Sequence, residues 1–174
     1  FGNAVRLAVR ALDRVLDVER PPLPEIGHMI KRNRRIGLGV MGLADMLVRM
    51  GCRYDDLDGH RVVYEVIDRM RQVAIETSMD LADELGVPEG VSAAGFQRRN
   101  VALLTVAPTG TIAAMTGVSS GIEPIFSAVT YRRIGTTYHR IVHPLLEEIL
   151  GGHFDYDQGE SLEELFDGEM AHKT

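Results

Sequence analysis

The chain has 174 residues, of which 45% are hydrophobic, 25% charged and 6% aromatic, with a formal net charge of −6. That length and balance suit a soluble domain with a real core, and the negative charge argues against non-specific nucleic-acid binding. A single cysteine, Cys52, excludes an internal disulfide or a thiolate metal site, and no apolar run is long enough to cross a bilayer. With no signal-peptide pattern, a cytoplasmic location is expected. The chain begins at Phe1 inside a helical pattern, as a processed product, a truncated piece or the visible part of something longer would.

Phe1, Val5, Ala8, Val9, Leu12 and Leu16 recur at helical spacing and predict an amphipathic helix. Pro21, Pro22 and Pro24 end it and imply an extended connection. A basic patch follows, Lys31, Arg32, Arg34 and Arg35, open to two readings: a solvated turn, or a phosphate or partner contact.

Gly37, Gly39 and Gly42 then spell the G-x-G-x-x-G of dinucleotide-binding turns. That fingerprint should follow an apolar strand, whereas here it follows Lys31 to Arg35. The expectation is instead a helix running to about Met50, its glycines permitting close backbone packing. Leu57 to Leu85 keeps a helical period over a long span, and Gly86 and Pro88 supply the stop. A loop is expected from Glu89 to Phe96.

Val101 to Val106 show no polar alternation, which predicts a strand covered on both faces. Pro108 breaks it into Thr109-Gly110-Thr111, and a second glycine-rich segment, Gly117 to Pro124, follows. Hydroxyls and amides gathered past a strand end can hold an anion, although an ordinary capped turn has the same spacing. Glu123 either braces its loop or binds a sugar hydroxyl. Ile125 to Ile134 suggests a short extended element, and Tyr138 to Leu150 a helix interrupted at Pro144. On such a helix His139 and His143 would share a face at metal-ligand spacing, but no third ligand accompanies them and no metal is assigned. From Gly151 the chain turns acidic, and residues 151–174 are expected to form a mobile tail with a short helix at Leu162 to Phe166. One apolar strand with so few partners implies strands supplied from elsewhere, or an exposed edge through which the chain could dimerise.

Taken in series, Arg35 to Asp45, Arg99-Asn100, Ala107-Pro108-Thr109-Gly110-Thr111-Ile112, Ser119 to Phe126 and Tyr131-Arg132-Arg133 resemble the large catalytic subunit of ribonucleotide reductases. The likeness runs from Phe1 to about Leu150, and its order and spacing are most similar to the adenosylcobalamin-dependent (class II) branch. The resemblance implies a segment of a ten-stranded α/β barrel, mostly helical with a few buried strands. Residues 1–150 would be its C-terminal portion, belonging to an oxidoreductase that makes deoxyribonucleotides for DNA replication by radical reduction of the ribose 2′-carbon. Thr109, Gly110, Thr111, Ile112 and Ala113 fall on the family's substrate phosphate-binding loop, with Ser119, Ser120 and Glu123 as supporting residues. Adenosylcobalamin would be the cofactor. The partners would be a ribonucleotide, the N-terminal portion of the reductase and a second copy in a homodimer, with no nucleic acid and no membrane.

The family's thiyl-radical cysteine and redox pair are not matched by Cys52, so no catalytic residue is assigned. The chain would be a fragment or split subunit of a ribonucleoside di- or triphosphate reductase, inactive alone. A class I subunit is the second reading, disfavoured by the lack of a Tyr-Tyr pair. A phosphate-binding remnant or structural interaction domain without catalysis is the third.

Overall fold

The computed structural model describes residues 1–127, 129–134 and 136–150. The expected acidic tail, 151–174, lies outside them. The order of elements is α1 (Gly2–Val18), α2 (Pro24–Asn33), α3 (Leu43–Arg49), α4 (Leu57–Leu85), α5 (Glu89–Ala93), α6 (Gly110–Thr116), β1 (Val129–Ile134), β2 (Thr137–Val142) and α7 (Pro144–Leu150). They fall into two compact units, one of Phe1–Val40 with Leu47–Pro108, the other of Met41–Met46 with the described residues after 108.

The first unit is built on α1 and α4. Val5 and Val9 from α1 meet Met70, Val73, Ala74 and Leu81 from α4, and Ile36 and Leu103 complete the buried cluster. The i, i+3, i+4 spacing of these residues makes each helix an apolar stripe, and burying that stripe supplies most of the helix's stability. Asp56 caps α4 by accepting the Gly59 N–H at 2.6 Å, and Gly86, at φ +86°, ends it as the sequence predicts. Arg10 of α1 and Glu84 of α4 add an exposed ion pair at 2.9 Å.

The proline-rich connection is extended at Glu19 and at Leu23, as expected, and α2 follows it because Pro24 occupies the first helical turn, where a missing N–H costs nothing. Three expectations are corrected here. Glu89 to Ala93 is a short helix, α5, rather than loop. Gly37 to Gly42 is not helical: Leu38 sits in an isolated bridge, Gly42 turns at φ +75°, and α3 starts only at Leu43. Leu38 forms a parallel bridge with Leu104, its N–H donating to Leu103 O at 2.8 Å and its O accepting from Thr105 N–H at 3.0 Å. A Cβ on Gly39 would stand 3.0 Å from the Thr105 carbonyl oxygen, so the glycines serve close backbone approach between extended segments. The apolar run Val101 to Val106 therefore has one partner among the described residues, and only its middle is covered. Leu103 is buried, whereas Val106 is 70% exposed.

In the second unit, β1 and β2 form an antiparallel pair in the register Val129↔Val142 to Ile134↔Thr137. Tyr138 to Val142, expected as helix, is thus strand. Its β-branched and aromatic residues favour the pleated surface, and Pro144 begins α7 instead of interrupting a helix. The fold is mostly helical with one two-stranded sheet among the described residues. Among the described residues, no helix is long and apolar enough to cross a membrane.

Candidate functional site

Thr109 to Ala113, the predicted phosphate loop, forms the entry to α6. Thr109 adopts the left-handed conformation at φ +51°, which a β-branched residue rarely does. Its Oγ1 is held by the Gly121 N–H at 2.7 Å, so the two glycine-rich segments are tied together by one side chain. The Thr109 carbonyl accepts from Ala113 N–H at 2.8 Å. Gly110, Thr111 and Ile112 therefore present the first-turn amides, which have no acceptor within their own helix. These three residues are exposed, whereas Ala113 is fully buried and anchors the turn.

The supporting residues sit beside them. Ser119 is fixed through its backbone: its N–H donates to Asp45 Oδ2 at 2.7 Å, and its carbonyl accepts from Gly42 N–H at 2.8 Å. Ser120 O accepts from Glu123 N–H at 2.8 Å, closing a tight turn that leaves the Glu123 side chain exposed. Gly110, Ser119, Ser120 and Glu123 line one cleft of about 340 Å³, together with Phe126 and His143. The structure thus brings four of the eight predicted residues to one cleft, and Thr111, Ile112 and Ala113 follow Gly110 in α6 outside its lining.

His143, which lines this cleft, and Asp45, which reaches its wall from outside the lining, were not read as site residues from the sequence. Asp45 stands in the first turn of α3 and reaches both Ser119 N–H and, at 3.6 Å, His143 Nε2. Its only sequence signal is its place within the Arg35 to Asp45 motif. His143 was paired with His139 on an expected helix, but His139 lies in β2 opposite Arg132 and His143 follows the strand, so that shared face does not form. Among the described residues, no three His, Cys, Asp or Glu side chains converge as a metal site would need.

The basic patch also resolves. Lys31 and Arg32 close α2, and Arg34, at φ +42°, turns inward. Its guanidinium donates to Asp13 Oδ1 and Asp17 Oδ1, each at 2.8 Å, and is 5% exposed. Arg34 is a structural ion-pair residue and unavailable to a ligand. Cys52 lies beside Gly51 after α3, its Sγ 3.8 Å from the Met50 carbonyl.

Residues 1–98 and 86–165 match the family described as ribonucleotide reductase, barrel domain. This chain belongs to that family. It is 39% identical over 147 residues to the vitamin B12-dependent ribonucleoside-diphosphate reductase of Mycobacterium tuberculosis, covering 82% of this chain and 21% of that protein. A reductase of the same description from Thermoplasma acidophilum is 36% identical, over 84% of this chain and 20% of that protein. The ribonucleoside-diphosphate reductase large subunit of Variola virus shares 25% over 85% of this chain and 23% of that protein. The chain thus spans about a fifth of the length of these relatives. Among solved structures, the alpha subunit of the Actinobacillus ureae class Id ribonucleotide reductase superposes with a TM-score of 0.71 over 97% of this chain and 31% of that one, at 23% identity. That likeness is one of fold.

Proposed function

We propose that this reductase-family chain supplies the substrate phosphate-binding loop of a class II ribonucleotide reductase. Thr109 to Ala113 would form the cradle. The observation that carries this reading is the geometry at Thr109: a strained left-handed residue, pinned through Oγ1 to Gly121, opens a helix whose exposed first-turn residues Gly110, Thr111 and Ile112 have amides with no acceptor in their own helix, and Gly110 lines the cleft. Converging amides bind phosphate oxygens without needing Lys or Arg. Ser119, Ser120 and Glu123 shape the adjoining wall, Ser119 being held in turn by Asp45. Strain that persists at one residue because its surroundings enforce it is commonly found at ligand clamps.

The chain contributes binding and orientation, and the radical cysteine is assigned to the reductase's N-terminal portion. Adenosylcobalamin, a form of the vitamin B12 on which the Mycobacterium tuberculosis and Thermoplasma acidophilum relatives depend by name, would supply the radical. No residue of this chain is assigned to the cofactor. Exposed apolar side chains in each unit, such as Val106 at 70% and Met115 at 83%, support a role for further protein in covering them. That protein would be the N-terminal portion, a second copy, or both.

The test is to mix the chain with the N-terminal portion of a vitamin B12-dependent reductase, add adenosylcobalamin and a reductant, and measure deoxyribonucleotide formation from ribonucleoside di- and triphosphates. Activity in the mixture and none in either part alone is the expected result. Activity that survives Gly110→Ala unchanged would remove the phosphate-loop assignment.

A further inference from the structure

The first unit carries an apolar stripe that its own chain leaves uncovered. Ile26, Met29, Ile30 and Asn33 fall at the i, i+3, i+4, i+7 spacing of one face of α2, yet no residue of that helix is buried. Ile26 is 42% exposed and Met29 is 50% exposed. A short helix draws most of its stability from packing such a face against something else, and here that face is free. Together with Leu16 of α1, the stripe lines a groove of about 490 Å³.

The charges on the groove say what covers it. Glu25, in the first turn of α2, and Arg35, just past its end, line the same groove. Neither side chain has an ion-pair or hydrogen-bond partner among the described residues. The helix between them holds the two charges roughly 12 Å or more apart at 1.5 Å per residue, so no single small ion serves both. The occupant must bring a cation to one end, apolar side chains to the middle and a carboxylate to the other end. This same surface, turned end for end, has that order. A two-fold axis across the middle of α2 sets Glu25 of each copy against Arg35 of the other, with Ile26 and Met29 between them. The flexible thioether of Met29 suits an irregular apolar seam of this kind.

We propose that the α2 groove is a self-docking surface, on which two copies of this chain pair antiparallel along α2 through Ile26 and Met29, with reciprocal Glu25–Arg35 contacts at both ends. Antiparallel pairing also sets the helix dipoles against each other favourably. The surface is distinct from the apolar run at Val101 to Val106. It uses no residue of the phosphate loop, so it stands or falls apart from the proposed nucleotide site.

Sedimentation equilibrium of the full chain over a range of concentrations tests the docking. The parent should show a monomer–dimer equilibrium. Glu25→Arg and Arg35→Glu should each weaken it about tenfold, because symmetry breaks two ion pairs at once and brings like charges together. An equimolar mixture of these two variants should regain the parent's affinity, since every charge then faces its opposite. Met29→Lys should leave only monomer, and a parent-like circular dichroism spectrum separates lost docking from lost folding in each variant. The docking is overturned if the parent is monomeric at every concentration, if a folded Met29→Lys dimerises as the parent does, or if the mixture dissociates as readily as its components. A dimer that these changes leave intact and Val106→Lys abolishes would overturn it too, by placing the contact at the apolar run.

Discussion

Asn100 donates from Nδ2 to Asp13 Oδ1 at 2.8 Å, across 87 residues of chain, and both side chains are fully buried. The same Nδ2 donates to the Arg34 carbonyl at 3.0 Å, and Asn100 Oδ1 accepts from Ser78 Oγ at 2.8 Å. One amide thus ties α1, the residue after α2, α4 and the start of the apolar run together. Replacing it with leucine keeps the volume and removes its side-chain bonds. Asn100→Leu should cost about 3 kcal/mol of unfolding free energy, because Asp13 loses a charge-assisted partner and the Ser78 hydroxyl loses its acceptor, keeping only the N–H groups of Arg99 and Asn100 that it accepts from. Urea denaturation checks this, and a loss below about 1 kcal/mol would mean the network is slack.

Arg34 and Asp13 form the ionic centre of that network, at 5% and 0% side-chain exposure. Removing one partner leaves a buried charge uncompensated, at a cost of about 3–5 kcal/mol. Arg34→Met alone should therefore be strongly destabilising, whereas Arg34→Met with Asp13→Leu should recover much of the loss. A double-mutant cycle in urea measures the coupling. Additive losses in the double variant would show that the pair contributes little as a pair.

Asp17 brings a pH dependence. The hydrogen bond from Arg34 holds its carboxyl below the ordinary value of 3.8, with burial opposing. A depressed folded-state pKa contributes stability above the unfolded value, and that stability is lost as pH falls from about 3.8 through the lowered value. Asp17 is 42% exposed, so solvent screening limits the effect to about a few tenths of a kcal/mol. Asp17→Asn should lower stability by about a few tenths of a kcal/mol at pH 7 and flatten the curve below pH 4, where the variant and the parent converge. An equal loss at both pH values would refute the linkage.

Thr109 separates strain from hydrogen bonding. Thr109→Ser keeps the Oγ that receives the Gly121 N–H and removes the β-branch at φ +51°, so it should be neutral or slightly stabilising. Thr109→Val keeps the strain and removes the acceptor, at a cost of about 1–2 kcal/mol. The difference in thermal midpoint between the two variants is the readout. If Ser and Val behave alike, the tie to Gly121 has no energetic weight.

Gly110 and Gly39 should respond oppositely to alanine. A Cβ at Gly110 meets nothing within 4 Å, and α6 gains a better helix former by about 0.5–1 kcal/mol. Gly110 lines the cleft, so Gly110→Ala should keep or raise stability while weakening pyrophosphate binding in calorimetry. Gly39→Ala, 3.0 Å from the Thr105 carbonyl oxygen, should instead cost about 1–3 kcal/mol by wedging open the bridge between Leu38 and Leu104. Unchanged stability in Gly39→Ala would show that the extended pair shifts freely.

The sequence alone determined the long helices and the family. α1 and α4 were legible because their apolar stripes run for many turns, and Gly86 stops α4 through a local backbone preference. The serial motifs, each weak alone, named the reductase barrel that the family match supports. Only the tertiary structure decided the rest. Gly37 to Gly42 is not helical because Leu38 finds its partner more than sixty residues on, at Leu104, and no local pattern carries a pairing between distant segments. Arg34 reads as a surface cation until Asp13 and Asp17 are brought to it, and His143 as half of a metal pair until β2 forms and Asp45 faces it. Local periodicity records which face of an element is apolar. Which charge, hydroxyl or imidazole meets which is fixed by contacts across the chain, and those exist only once it has folded.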